Sequence, residues 1–181
     1  MNKLVGHFKT ITTHKLLVMK YCFRIGLYRQ GLMHDMSKYS PTEFIPGVLN
    51  YRGFESPNNE ERRHKGYSSA WLHHKGRNKH HLEYWTDYKI GGEKGVMYGV
   101  KMPLRYVLEM FCDRVAASHI YNGENYTDSM PLEYFRRGRT ADGMHPETAV
   151  FLDKLLQILA SQGEEKTFRM IRRYYRTHKD Y

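Results

Sequence analysis

At 181 residues and 40% hydrophobic content, the chain is sized for one domain around one core. No run approaches the ~20 apolar residues of a membrane span, no signal-peptide pattern opens the chain, and two cysteines do not form a disulfide framework, so a cytoplasmic protein is expected. The net charge of +10 makes an anion the expected partner, whether a nucleotide, a nucleic acid or another phosphate compound.

Residues 8–29 set Ile11, Leu16, Leu17, Met19, Phe23, Ile25 and Leu27 at roughly helical spacing, which predicts a long helix carrying His14 and ended by Gly31. A second, short helix is expected to present His34 and Asp35. Ser40-Pro41-Thr42-Glu43 reads as a capping box with proline at the first helical position, so a helix should run to about Leu49 with Glu43 as its cap. Residues 51–58 read as loop and 59–74 as a helix with the apolar end Ala70-Trp71-Leu72. Gly76 should break the chain before another short helix from His80 to about Tyr88.

Gly91-Gly92-Glu93-Lys94-Gly95 is the clearest flexible loop. Met102-Pro103 then opens a helix to about Tyr121, with Leu104, Val107, Leu108, Phe111 and Val115 on one side. Glu109 and Asp113 lie one turn apart on it, and Glu109 is expected to pair with Arg105. A short helix at 131–137 and terminal packing helices at 146–161 and 164–178 complete the reading. The last should turn Phe168, Ile171 and Tyr175 inward. With little strand signal, the expectation is an all-α fold, one helical domain spanning 1–181.

The most informative feature is the dipeptide His34-Asp35. It sets an imidazole and a carboxylate side by side, both able to reach one divalent cation. Neighbouring residues on a helix diverge by about 100°, so sharing an ion requires a distorted turn or a helix end. Further ligands are on offer from His14, with His7 as its rival, and from His73-His74, His80-His81 and Asp113. Spacing alone does not choose within the doublets, because 74, 78 and 81 would share one helical face and 73, 77 and 80 another. Asp113 sits in an otherwise apolar helix and needs a partner, since a carboxylate buried alone costs several kcal/mol. A metal ion or an arginine such as Arg114 would serve. Trp71 and Trp85 read as core or site wall.

The order His, His-Asp, histidines, then Asp on a helix resembles the HD-domain superfamily of metal-dependent phosphohydrolases. His34-Asp35-Met36-Ser37-Lys38 is similar to the His-Asp-x-Gly-Lys of its cyclic-dinucleotide phosphodiesterase branch, with Ser37 in place of glycine. His80-His81-Leu82-Glu83 resembles the His-His-x-Glu of that branch, although the Asp-Gly-x-Gly-Tyr-Pro stretch is absent. The chain more closely resembles a bacterial and phage family without an assigned activity. The shared pattern is His-Asp-x-Ser-Lys with Glu43-Phe44, then Trp71 to His74, Asn78 to His81, and Met102-Pro103 followed by Glu109, Met110 and Asp113.

The HD resemblance implies an HD-like helical bundle with a metal site drawn from residues 7–120. His14, His34, Asp35 and Asp113 would be the minimal metal set, and His74, His80 and His81 could ligate a second ion. The cofactor would be one or two divalent ions, with Mn, Fe, Co, Mg and Zn not distinguished. Such a centre would bind a phosphate and supply a hydroxide for in-line attack, with Asp35 and Lys38 as catalytic residues. Lys38 would neutralise phosphate charge, seconded by Lys75, Arg77 and Arg114. The expected activity is hydrolysis of a small phosphorylated substrate, a nucleotide first. The alternatives are a di-iron oxygenase on the same scaffold and a basic nucleic-acid-binding module with structural histidines.

Overall fold

A computed structural model describes residues 2–181, and its nine α-helices among them make the fold all-α. Asn2 caps the first helix, α1 (Lys3–Ile25), by accepting from the Leu4 amide. Gly26 then ends it in the left-handed region at φ 89°, where a residue with a Cβ would be strained. The helix expected over 8–29 therefore stops short, and its last residues belong to a separate α2 (Tyr28–Met33). Gly31 allows α2 to lie against α1: a Cβ there would sit 3.0 Å from the Cys22 side chain and 3.1 Å from Phe23.

After a 3-10 turn at Met36–Tyr39 comes α3 (Pro41–Leu49). The helix expected over 59–74 is two helices, α4 (Pro57–Lys65) and α5 (Ser69–Lys75). Gly66 terminates the first at φ 79°, and the Ser68 hydroxyl caps the second by accepting from the Trp71 amide. The residues after His80 form only a 3-10 turn, Leu82–Tyr84, and then the first strand of a two-stranded hairpin, β1 (Thr86–Asp87) against β2 (Tyr98–Gly99). The glycine-rich segment 91–95 lies in the connection of that hairpin. The chain ends with α6 (Leu104–Asn122), α7 (Met130–Arg137), α8 (Pro146–Gln162) and α9 (Glu164–Thr177).

One apolar cluster joins these elements. Val18, Cys22 and Ile25 of α1 meet Leu108, Phe111, Cys112 and Val115 of α6, Leu152 and Leu156 of α8, and Phe168 and Ile171 of α9. Each fully buried side chain of this kind contributes about 1.5–3 kcal/mol. Phe168 and Ile171 do turn inward, with Tyr175 partly covered. Both cysteines are buried and free. The consequence for function is that α1 and α6 lie together through the core and hold His14 and Asp113 at facing positions.

Candidate metal centre

The centre begins with an irregular stretch of backbone. His34 closes α2, and Asp35 follows in the left-handed region at φ 54°. Neither is helical, so the divergence expected of helix neighbours does not apply. The Lys15 ammonium fixes this corner by donating to the carbonyls of Leu32 at 2.7 Å and His34 at 2.9 Å. The two Asp35 oxygens face different groups. Oδ2 lies 3.4 Å from His34 Nε2 and 3.8 Å from His14 Nε2. Oδ1 lies 3.3 Å from His74 Nε2 and 3.4 Å from His80 Nε2.

Asp113 closes the arrangement from α6. Its Oδ1 is 2.9 Å from His14 Nε2 and 3.7 Å from His34 Nε2, and its Oδ2 is 3.9 Å from His80 Nε2. His81 Nε2 lies 2.9 Å from His74 Nε2. Two ligands each about 2.1 Å from one ion stand about 3.0–3.4 Å apart at octahedral or tetrahedral angles. Most of the separations here fall in or near that range. The groups sort into His14, His34 and Asp113 on one side, and Asp35, His74, His80 and His81 on the other, with His34, His80 and Glu109 as a third, overlapping set. Asp35 lies between the first two, and each set can hold a metal ion.

Two further carboxylates orient the rings. Glu109 does not pair with Arg105: its Oε1 lies 3.0 Å from His34 Nδ1 and 3.2 Å from His80 Nδ1. Nor does Glu43 form the expected capping box. Ser40 makes no side-chain cap, and Glu43 instead reaches His74 Nδ1 at 2.8 Å and His73 Nδ1 at 2.7 Å. Carboxylates on Nδ1 fix the tautomer and leave Nε2 for a metal, the usual outer-shell arrangement of ligating histidines. The doublets are thereby resolved. His74 faces the centre while His73 grips Glu43 from outside it, and both His80 and His81 point inward. Asn78 donates to the Ser37 hydroxyl and to the His74 carbonyl, both at 2.8 Å, which gives the serine of the His-Asp-x-Ser-Lys segment a structural role.

Unpartnered atoms test whether this set suits a cation. His34 Nε2, His80 Nε2 and Asp35 Oδ1 are all buried without a hydrogen-bond partner; His80 Nε2 and Asp35 Oδ1 lie 3.4 Å apart in one ligand set, and His34 Nε2 belongs to the other. Buried polar atoms are normally satisfied, and a cation held by each set would satisfy them. Charge agrees. Burial alone would lower His34, but Asp35, Glu109 and Asp113 outweigh it and push its pKa up to about 10. Burial alone would raise Asp35, yet His34, Lys38 and His74 hold its carboxyl well below the usual range. Asp113 is likewise held low by His14, His34 and His80 against its burial. His81 goes the other way, lowered by burial and by the neighbouring His80 and His74. These carboxylates demand positive charge, which protons or a metal ion can supply.

A cavity of about 220 Å³ opens onto the centre, lined by His14, Asp35, His74, His81 and Asp113 together with Lys38, Trp71 and Tyr121. Lys38 stands 2.7 Å from Asp35 Oδ2, and Asp35 and Asp113 raise its pKa above the usual lysine range despite burial. Lys75 and Arg77 line no part of this cavity. Arg114 lines an adjoining cavity that Trp71, His81, Asp113 and Tyr121 also line, its guanidinium 5.3 Å from the Phe135 ring centre. Trp71 is a wall of the site, whereas Trp85 packs against the core.

His7 is not in the ligand cluster, nor is it frayed. It is buried within α1 at the far end of the cavity, its Nδ1 without a partner, between the Phe44 and Tyr51 rings. Burial, with Lys38 nearby, lowers its pKa to about 4. Gly47 makes room for it: a Cβ there would lie 2.3 Å from His7 Nε2. The ring partners Glu109 and Glu43, the Lys15 clamp and the Ser37–Asn78 link were missed by sequence reasoning, although the one-turn spacing of Glu109 and Asp113 was a signal for the first.

No curated protein and no solved structure matches the chain. A family model described as a family of unknown function, DUF5662, matches residues 3–158, which include every residue of the centre and of its cavity. The chain belongs to that family.

Proposed function

We propose that this protein is a divalent-metal-dependent phosphohydrolase acting on a small phosphorylated substrate of the nucleotide class. The observation that carries this reading is the set of three unpartnered buried ligand atoms beside a cavity that Lys38 lines. His14, His34, Asp35 and Asp113 would hold one ion, and Asp35, His74, His80 and His81 a second. When bound, such ions polarise phosphoryl oxygens and bring the pKa of a coordinated water towards neutrality.

The chain's own residues supply the rest. Lys38 keeps its charge at the cavity edge, where it can bind a phosphate oxygen and offset charge developing on it. Glu109 and Glu43 keep the imidazoles in the ligating tautomer. Trp71, Ile120 and Tyr121 give the substrate an apolar wall, and neutral His7 offers a hydrogen bond at the far end.

The test uses untagged protein. Elemental analysis should find one or two divalent ions per chain, and the protein loaded with Mn, Fe, Co or Mg should hydrolyse at least one member of a nucleotide and phosphoester panel. Asp35→Asn, which suits the left-handed backbone and gives up only the charge, should be folded and inactive. Absence of stoichiometric metal would refute the reading in favour of a nucleic-acid-binding module with structural histidines. Five imidazoles among the ligand candidates also suit iron. Iron with O₂ consumption and no phosphate release would assign a di-iron oxygenase instead.

A further inference from the structure

The basic C-terminal helix plays no part in the metal centre, yet it helps form a second concavity. Residues from three remote segments meet there: Ile25, Gly26 and Tyr28 around the end of α1, Pro103 to Arg105 at the start of α6, and Arg172 to Lys179 at the end of α9. The cavity measures about 630 Å³. Eleven residues of α1 separate Ile25 from His14, which places it about 16 Å along the helix from the metal centre.

Its chemistry is uniformly attractive to anions. Arg105, Arg172, Arg176 and Lys179 line it, and no acidic residue does. Nearby carboxylates are engaged elsewhere, Glu147 and Asp180 on Lys101, and Glu165 on Arg24 and Arg169. The same place holds the N-terminus of α6, a 19-residue helix with no side-chain cap and no acidic residue in its first turn. Its first amides carry the partial positive charge found at helix N-termini that bind phosphate. Two independent sources of positive charge thus converge on one hollow. Tyr28 and Tyr175, beside Ile25 and Leu104, add flat apolar surface on which a base can stack.

We propose that this hollow binds a nucleotide-type phosphate ligand, either free or as part of a single strand, independently of the metal centre. The probes are a short fluorescein-labelled oligothymidylate and a fluorescent ATP analogue, each titrated by polarisation against the full chain in EDTA at about 50 mM salt. At least one should bind. Arg172→Ala/Arg176→Ala should weaken that binding on the order of tenfold and shrink its log–log salt slope by about two. Arg136→Ala/Arg139→Ala removes the same charge from residues paired with Asp153 and Asp142, and should change affinity less than about threefold. Displacement of the oligonucleotide by ATP identifies a free nucleotide as the source, and resistance to ATP identifies a strand. If the two double variants weaken binding equally, or neither probe binds, the site does not exist. Loss of metal or of hydrolysis does not bear on either outcome.

Discussion

Glu109 offers the sharpest perturbation, because one carboxylate oxygen serves two rings. Its Oε1 lies 3.0 Å from His34 Nδ1 and 3.2 Å from His80 Nδ1, and apart from the trio they form with Glu109 itself those histidines belong to different ligand groups. Removing an outer-shell partner of one ligating histidine costs about 10–100-fold in metal affinity, or about 1.4–2.7 kcal/mol. Glu109→Ala should impose a loss of that size on both ions rather than on one. Glu109→Gln keeps an oxygen that can accept from both Nδ1–H groups and loses only the charge, so its loss should stay within about tenfold. Competition against a chromophoric chelator, with Mn and Zn in turn, would measure both affinities. Wild-type affinity for both ions in folded Glu109→Ala protein would refute the claim that this residue aims the rings.

Gly47→Ala puts a Cβ 2.3 Å from His7 Nε2, so the ring must leave its slot between Phe44 and Tyr51. A loss of about 1–3 kcal/mol in urea unfolding is expected, with metal content unchanged because His7 is no ligand. Phe111→Ala empties a fully buried position and should cost about 3–5 kcal/mol with an unaltered denaturant slope. Burial would raise Glu61, but the Ser69 and Ser68 hydroxyls and Lys65 outweigh it and lower its pKa to about 2. A carboxyl lowered on folding contributes stability that is complete above its ordinary pKa of 4.5 and is lost as pH falls towards 2. Glu61→Gln should therefore be less stable at pH 7 and show a flatter stability profile across that window, as read by thermal unfolding in a pH series.

Helix content and the inward faces of α6 and α9 were legible in the sequence because apolar periodicity reports directly on burial. The breaks at Gly26 and Gly66 were less so. Each glycine sits in an otherwise continuous helical pattern, and only its positive φ shows that the chain turns there. The juxtaposition of His14, His34, Asp35 and Asp113 could be anticipated from residue type and order. The partners of Glu43 and Glu109 could not. Both glutamates had plausible local roles, a cap and a one-turn pair with Arg105, and both turned instead to histidines 30 and 75 residues away in the chain. Local propensity carries no record of such long-range hydrogen bonds. For the same reason Lys75 and Arg77, close in sequence to the histidines, stand away from the cavity.

The left-handed backbone at Asp35 restricts what can occupy that position in a way its carboxylate alone does not. Glycine would relax the main chain but supplies no oxygen, and glutamate supplies oxygens but fits poorly at φ 54°. Asparagine keeps the shape while giving up the charge. Saturation mutagenesis of codon 35, sorted first for soluble yield and then for retained metal, should pass Asp, Asn and Gly through the first gate and aspartate alone through the second.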